Sequence, residues 1–112
     1  KVLVLGITFK ENVADIRNSK VATLVQELQD FSVNVHIVDP HASPNEVKHE
    51  YNLTLADKIS TGYDAVVVAV AHDEYRTYDS LFFKSIMGKN PILVDLKALY
   101  EDVDEEIEYW RL

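Results

Sequence analysis

The stretch that decides the fold reads GITFKENVADIRNSK and runs from Gly6 to Lys20. A short apolar run precedes it, and an amphipathic segment follows it. Gly6 permits a tight turn, because glycine lacks a Cβ and adopts backbone angles that other residues avoid. We predict a strand that ends at Gly6, then a loop, then a helix capped by Asn18 or Ser19. The carboxyl end of a strand and the amino end of a helix therefore meet here.

Apolar patterns predict that strands and helices alternate along the chain. In the first helix, apolar residues recur at helical spacing, which gives one apolar stripe. The run AVVVAVA is apolar at every position, as in a central parallel strand that is covered on both faces. The predicted strands are Lys1–Leu5, Val33–Val38, Ala65–Ala71 and Pro91–Asp95, and the predicted helices are Ser19–Asp30, Ser43–Tyr51 and Asp79–Met87.

This order predicts an α/β fold, a three-layer α/β/α Rossmann-like domain with a mostly parallel sheet of about five strands. Gly88 is expected to terminate the last helix, whose inward side chains would be Tyr78, Leu81, Phe82 and Ile86. Leu53–Ile59 is ambiguous and could form a further short helix. Ile107–Trp110 fits either an edge strand or a docked tail.

Composition restricts the classes of function. The chain has 112 residues and a net charge of −8, and six acidic residues between 101 and 108 carry most of that charge. A broad basic face for nucleic acid is not expected, and no apolar run reaches the ~20 residues of a membrane span. The absence of cysteine excludes disulfides and thiolate sites, and it fits a cytoplasmic protein. Because Lys1 leads directly into a strand, we expect a piece of a longer protein.

Cations and a helix amino end predict an anion site after the first strand. Lys10 and Arg17 lie in the loop before the helix, where unpaired N–H groups and positive side chains act together. Lys97 follows the strand that ends at Asp95 and would reach the same edge of the sheet. The alternative is that the two loop cations are exposed and paired with Glu11 and Asp15.

Other chemical motifs are weaker. His72-Asp73 follows the most buried strand, so a general base is conceivable, but a structural turn histidine is the commoner case. Asp39 lies where dinucleotide-binding folds place a ribose-binding acid, yet the chain has only three glycines and no G-x-G-x-x-G. Asp39-Pro40 is more simply a turn. The histidines show no convincing metal-ligand spacing.

The deciding stretch resembles the start of the C-terminal domain of the UDP-glucose/GDP-mannose dehydrogenase family. The family pattern G-x-x-F-K-x-x-x-x-D-x-R-x-S is matched by Gly6, Phe9, Lys10, Asp15, Arg17 and Ser19. The similarity continues through Val38–Pro40, Tyr63–Tyr75 and Val94–Lys97, and so covers nearly the whole chain. Within the family, the AHDEY and DLK segments look most similar to bacterial UDP-N-acetylhexosamine 6-dehydrogenases of polysaccharide biosynthesis.

The resemblance implies a role for each matched residue. Phe9 and Lys10 would contact the nucleotide sugar, Lys97 would replace an arginine that also binds it, and Arg17 would reach toward NAD. The family's enzymes oxidise the sugar C6 alcohol in two NAD-dependent steps with a catalytic cysteine. Residues 1–112 would then be the UDP-binding C-terminal domain. Its partners would be the UDP-sugar and the N-terminal and middle domains of the same chain, in a homodimer or higher homo-oligomer.

Two departures limit this implication. The chain has no cysteine and no glycine-rich NAD turn, so we expect NAD to be held mainly by the N-terminal domain and these residues alone to be inactive. One alternative is a stand-alone non-catalytic nucleotide-binding or interaction domain. A signalling receiver is the other, but receivers need an acid pair after the first strand, where this chain has Gly6.

Overall fold

The computed structural model describes all residues from 1 to 112. It contains five strands, three α-helices and one 3₁₀-helix over Asp73–Thr77. The strands are β1 (Val2–Leu5), β2 (Val35–Val38), β3 (Tyr63–Val68), β4 (Met87–Asp95) and β5 (Glu108–Arg111). The helices are α1 (Lys20–Asp30), α2 (Pro44–Tyr51) and α3 (Ser80–Ile86). None of the helices has the length and apolar character needed to cross a membrane.

The strands form one sheet in the order β2-β1-β3-β4-β5, and every neighbouring pair is parallel. A buried cluster that includes Val4 and Val67 packs under α1 and α2 on one face. A second cluster, with Val66 and Phe83 among its members, packs under α3 and the 3₁₀-helix on the other face. The predicted three-layer Rossmann-like fold is confirmed, and its sheet is parallel throughout. All carboxyl ends of the strands therefore lie at one edge.

Cap chemistry sets the helix starts. Ser19, not Asn18, caps α1, and its hydroxyl accepts the N–H of Ala22. Ser43 caps α2 in the same way, and Pro44 occupies the first helical position as predicted. Asp79 caps α3. These side chains accept N–H groups that the first turn leaves unpaired.

Several predicted boundaries were wrong, for reasons of pairing. β3 ends at Val68 because its neighbour β1 ends at Leu5, so Ala69 and Val70 turn away and donate to the Leu5 carbonyl. The chain passes from α3 straight into β4, since Met87 has extended angles and pairs with Tyr63. Gly88 therefore lies in a strand and does not terminate the helix.

Other sequence predictions were resolved by burial and pairing. Leu81 is 74% exposed and Phe83 is buried in its place, because spacing cannot choose a face within a continuous apolar run. Residues 53–59 form no helix; Leu55 instead makes a parallel bridge to Ile37 at the outer side of β2. The C-terminal segment is an edge strand, β5.

Candidate functional site

A cleft of about 280 Å³ opens at the carboxyl ends of β1, β3 and β4. The loop after β1, the residues after β3, the first turn of α1 and the turn after β4 all contribute to its walls. We call it the lysine cleft, and it is lined by Thr8, Phe9, Lys10, Glu11, Asn18, Lys20, Val21, Ala69, Val70 and Lys97.

Three of the four predicted site residues meet in the lysine cleft. Phe9 and Lys10 come from the loop after β1, and Lys97 comes from the turn after β4. Phe9 is 59% exposed despite its size, so its ring is free to stack on a ligand. Neither Lys10 nor Lys97 has a carboxylate within ion-pair distance. The cleft therefore carries lysines that form no ion pair, and Glu11 is its one acidic lining residue.

Arg17, the fourth predicted residue, does not line the lysine cleft. Its guanidinium forms a fork with Asp15, with Nε–Oδ1 and Nη2–Oδ2 both at 3.0 Å. This hydrogen bonding lowers the pKa of Asp15 to about 2. The Arg17 side chain is 82% exposed and borders an adjacent concavity with Phe9 and Asn18. The predicted pairing of Arg17 with Asp15 is thus present, while Lys10 stays unpaired.

A buried carboxylate shapes the loop that carries Phe9 and Lys10. Asp39 Oδ2 accepts the N–H groups of Ile7 and Thr8 at 2.7 and 3.2 Å. Its Oδ1 accepts those of His41 and Ala42 at 2.8 and 3.2 Å. Asp39 therefore fastens the end of β1 to the end of β2. This is a structural turn role, as the sequence favoured, with both carboxylate oxygens already engaged.

His72 completes this buried cluster. Its Nε2 donates to Asp39 Oδ2 at 3.0 Å, and its Nδ1 accepts the N–H of Asn12 at 2.9 Å. His72 has no solvent exposure, so no substrate reaches it and the general-base hypothesis is not supported. Burial alone would raise the pKa of Asp39, but the hydrogen bonds from His72, Ile7 and His41 outweigh it and lower the pKa below its ordinary value.

The turn that presents Lys97 is fixed by Asp95. This buried carboxylate accepts the N–H of Lys97 at 3.3 Å and the Tyr109 hydroxyl at 2.6 Å. The next residue, Ala98, has a φ of 53°, which is uncommon for a residue with a Cβ. The strand β5 thus holds the Lys97 turn through Tyr109, a long-range contact that the sequence does not reveal.

The amino end of α1 also contributes to the lysine cleft. The Tyr51 hydroxyl of α2 donates to the Ile16 carbonyl and accepts the Ser19 N–H at 3.1 Å. This contact fixes where the helix begins. Lys20, its first residue, also lines the cleft, although the sequence analysis did not predict it as a site residue. Its position immediately after the N-cap, at the amino end of α1, was the feature of the sequence that could have indicated a site residue.

The chemistry that this arrangement offers is anion binding. Lysines and a helix amino end recognise phosphate or carboxylate groups. No group of three or more His, Asp or Glu side chains is arranged to hold a metal ion.

Comparison with solved structures shows the same architecture. A UDP-D-ManNAc dehydrogenase from Pyrococcus horikoshii superposes with a TM-score of 0.79 at 22% identity, over 98% of this chain and 24% of that one. The UDP-N-acetyl-mannosamine dehydrogenase Cap5O from Staphylococcus aureus gives a TM-score of 0.78, also at 22% identity, over 99% of this chain and 26% of that one. At this identity the likeness shows the fold alone.

Sequence comparison shows the family. The chain is 37% identical to a UDP-N-acetyl-D-glucosamine 6-dehydrogenase of Pseudomonas aeruginosa, over 91% of this chain and 24% of that protein. It is 38% identical to a UDP-glucose 6-dehydrogenase of Rhizobium meliloti, over 89% of this chain and 23% of that protein. It thus spans about a quarter of these relatives. The model of the UDP-glucose/GDP-mannose dehydrogenase family, UDP binding domain, matches residues 3–102. The chain belongs to this family and represents its UDP-binding domain.

Proposed function

We propose that residues 1–112 form the C-terminal, UDP-sugar-binding domain of an NAD-dependent nucleotide-sugar 6-dehydrogenase. The parent enzyme would oxidise the C6 alcohol of a UDP-hexose or UDP-N-acetylhexosamine to the acid. The observation that carries the proposal is the lysine cleft, which gathers Phe9, Lys10 and Lys97 at the carboxyl ends of the strands. Ligands bind at this edge in open parallel sheets.

The names of the relatives support the nucleotide as the shared ligand. Three of them act, by name, on UDP-N-acetyl-D-glucosamine, UDP-glucose and UDP-N-acetyl-D-mannosamine, and they match over 91%, 89% and 88% of this chain. The sugar varies among them while UDP does not. A cationic cleft suits the diphosphate, which is the charged part of every such substrate.

Each site residue has a proposed role that the family resemblance supplies and that its position in the structure permits. The exposed ring of Phe9 and the ammonium of Lys10 contact the nucleotide sugar. Lys97 binds it as a point charge and not as the two-pronged fork that an arginine would supply. Arg17 lies outside the cleft and is highly exposed although it is paired with Asp15, so it can contact NAD held by another domain.

We propose that the chemistry of oxidation comes from elsewhere in the parent protein. Residues 1–112 contain no cysteine and no glycine-rich dinucleotide turn. We therefore propose that the N-terminal and middle domains supply the nucleophile, most of the NAD site and the homo-oligomer interface. These 112 residues alone would bind UDP weakly, because the other domains of the parent enzyme would supply further contacts to the ligand. Tight UDP binding by this chain alone would instead favour a self-contained binding domain.

Replacement of Lys10 by alanine in the parent enzyme tests the proposal. We expect Lys10→Ala to weaken UDP-sugar binding by roughly 1.5–3 kcal/mol, the typical contribution of a charge-assisted hydrogen bond. Apparent substrate affinity from steady-state kinetics measures the loss. Lys89→Ala is the matched control, because Lys89 is an exposed lysine in the amino-terminal half of β4, without a carboxylate partner. Equal affinities for the two variants would remove Lys10 from the site.

A further inference from the structure

Lys20 occupies an unusual position for a lysine. It is the first residue of α1, it is exposed, and it lines the lysine cleft beside Lys10 and Lys97. No carboxylate lies within ion-pair distance of it. Three lysines without ion-pair partners therefore line one cleft, together with a single acidic residue, Glu11, in a chain whose net charge is −8.

The helix itself does not explain this lysine. The amino end of a helix carries partial positive charge, so an acidic side chain stabilises it and a cation opposes it. α2 follows this rule, with Glu46 in its first turn and Lys48 in its last. α1 has no acidic residue in its first turn and begins with Lys20. A local rule broken without a structural gain is typical of a functional position.

Lys20 also stands where two cavities join. An adjoining concavity shares Lys20 and Lys97 with the lysine cleft and continues between Leu24 and Leu96. Both lysines thus flank the passage between the lysine cleft and this more apolar concavity. Lys10 lines only the lysine cleft, so positive charge extends over more than one point of the wall.

We infer that Lys20 is a third phosphate-binding lysine of the cleft and that it helps the site to prefer a nucleoside diphosphate over a monophosphate. The inference rests on the proposed function, because it concerns the same ligand. A monophosphate presents one charged group and leaves part of this positive surface without a partner. A diphosphate presents two adjacent charged groups and engages the wall at both. The N–H groups of the first turn of α1 add to the attraction.

NMR titration of the ¹⁵N-labelled chain tests the inference, since chemical shifts detect weak binding. UDP and UMP are added separately to the unmodified chain, to Lys20→Gln and to Lys89→Gln. Glutamine removes the charge but keeps good helix propensity. We expect Lys20→Gln to lower UDP affinity about tenfold, as loss of one charge-assisted contact would, and to lower UMP affinity less. Lys89→Gln should bind UDP like the unmodified chain.

A melting curve separates binding from folding. Lys20→Gln should unfold at the same temperature as the unmodified chain or slightly higher, because it removes an unfavourable charge at the helix start. If the unmodified chain shows no shifts with millimolar UDP, the proposed function itself is refuted. If the unmodified chain binds UDP and Lys20→Gln binds it equally well, or loses UDP and UMP affinity to the same degree, only the role of Lys20 is refuted.

Discussion

At the scale of single residues, Gly6 occupies the backbone position that tolerates a side chain least. Its φ is 98°, and a Cβ at this point would lie 2.6 Å from the Cβ of Val70. Both facts follow from the turn that ends β1 and starts the loop with Phe9 and Lys10. The special role of Gly6 was predictable from its place after an apolar run, whereas the close approach of Val70 was not, because it depends on where β3 ends.

Substitution of Gly6 by alanine should therefore destabilise the fold. We expect Gly6→Ala to lower the free energy of unfolding by roughly 2–4 kcal/mol, from backbone strain and overpacking together. Gly62→Ala is the control, since Gly62 has a φ of 75° but a Cβ added there would have no atom within 4 Å; strain alone should cost about 1 kcal/mol. Urea unfolding measures both. A Gly62→Ala variant as unstable as Gly6→Ala would show that the contact with Val70 is unimportant.

Single residues also differ in how well the sequence predicts their place in the lysine cleft and around it. Phe9, Lys10 and Lys97 line one cleft, because they lie in the segments that follow β1 and β4 and parallel strands end at one edge. Their contacts with a ligand stay a prediction. The buried pair of Asp39 and His72 was not predicted, since their contact joins residues 33 positions apart. No local spacing encodes such a contact.

At the scale of elements, Asp39 is the junction of three strands. Its carboxylate accepts hydrogen bonds from the N–H of Ile7 after β1 and from the N–H of His41 after β2. It also accepts one from the ring of His72, which follows β3. Replacement of Asp39 by asparagine puts an amide NH₂ against these donors. Helix starts were predictable because caps are local, and the strand ends at Leu5, Val38 and Asp95 were predicted correctly. The end of β3 was not, because it depends on the length of its neighbour β1.

Asp39→Asn should lower the free energy of unfolding by about 3 kcal/mol or more near neutral pH, the usual loss when one member of a buried pair is removed. The pH dependence has a defined sign. The pKa of Asp39 is lowered on folding, so its contribution is complete above the ordinary value of 3.8 and is lost as pH falls through the lower folded pKa. Urea unfolding between neutral and acidic pH should show a flatter profile for Asp39→Asn.

The control for this profile is Asp57→Asn, because Asp57 is exposed and outside every element. Asp57→Asn should keep both the stability and the pH dependence of the unmodified chain. Other carboxyl groups with a lowered pKa, such as Asp104, keep some acid sensitivity in both variants. An Asp39→Asn chain with unchanged stability would show that the three strand ends are held by other contacts.

At the scale of the whole molecule, the sequence predicted the layers and the parallel sheet, because alternating strands and helices leave few other folds. The long-range contacts that position the walls of the lysine cleft were not predictable. Tyr109 in β5 holds the Asp95 turn, and Tyr51 in α2 holds the start of α1. Such contacts arise only when distant segments are packed together.

The proposed role of Arg17 concerns the whole parent enzyme, because NAD, its proposed ligand, would be held by another domain. In the parent enzyme, we expect Arg17→Ala to weaken the apparent affinity for NAD more than that for the UDP-sugar. The matched control is Arg76→Ala, since Arg76 is likewise exposed and paired, in its case with Asp73. Steady-state kinetics with each substrate varied in turn measures the two affinities. Equal effects on both substrates would contradict the assignment.

The most direct test of the lysine cleft as the UDP site is a crystal structure of this chain determined from crystals soaked with UDP. The diphosphate should lie in the lysine cleft, within hydrogen-bond distance of the Nζ atoms of Lys10 and Lys97, with Phe9 against the nucleotide. Diphosphate density elsewhere, for example beside Arg17 and Glu46, or no density in crystals that leave the cleft open, would contradict the assignment of the lysine cleft as the UDP site.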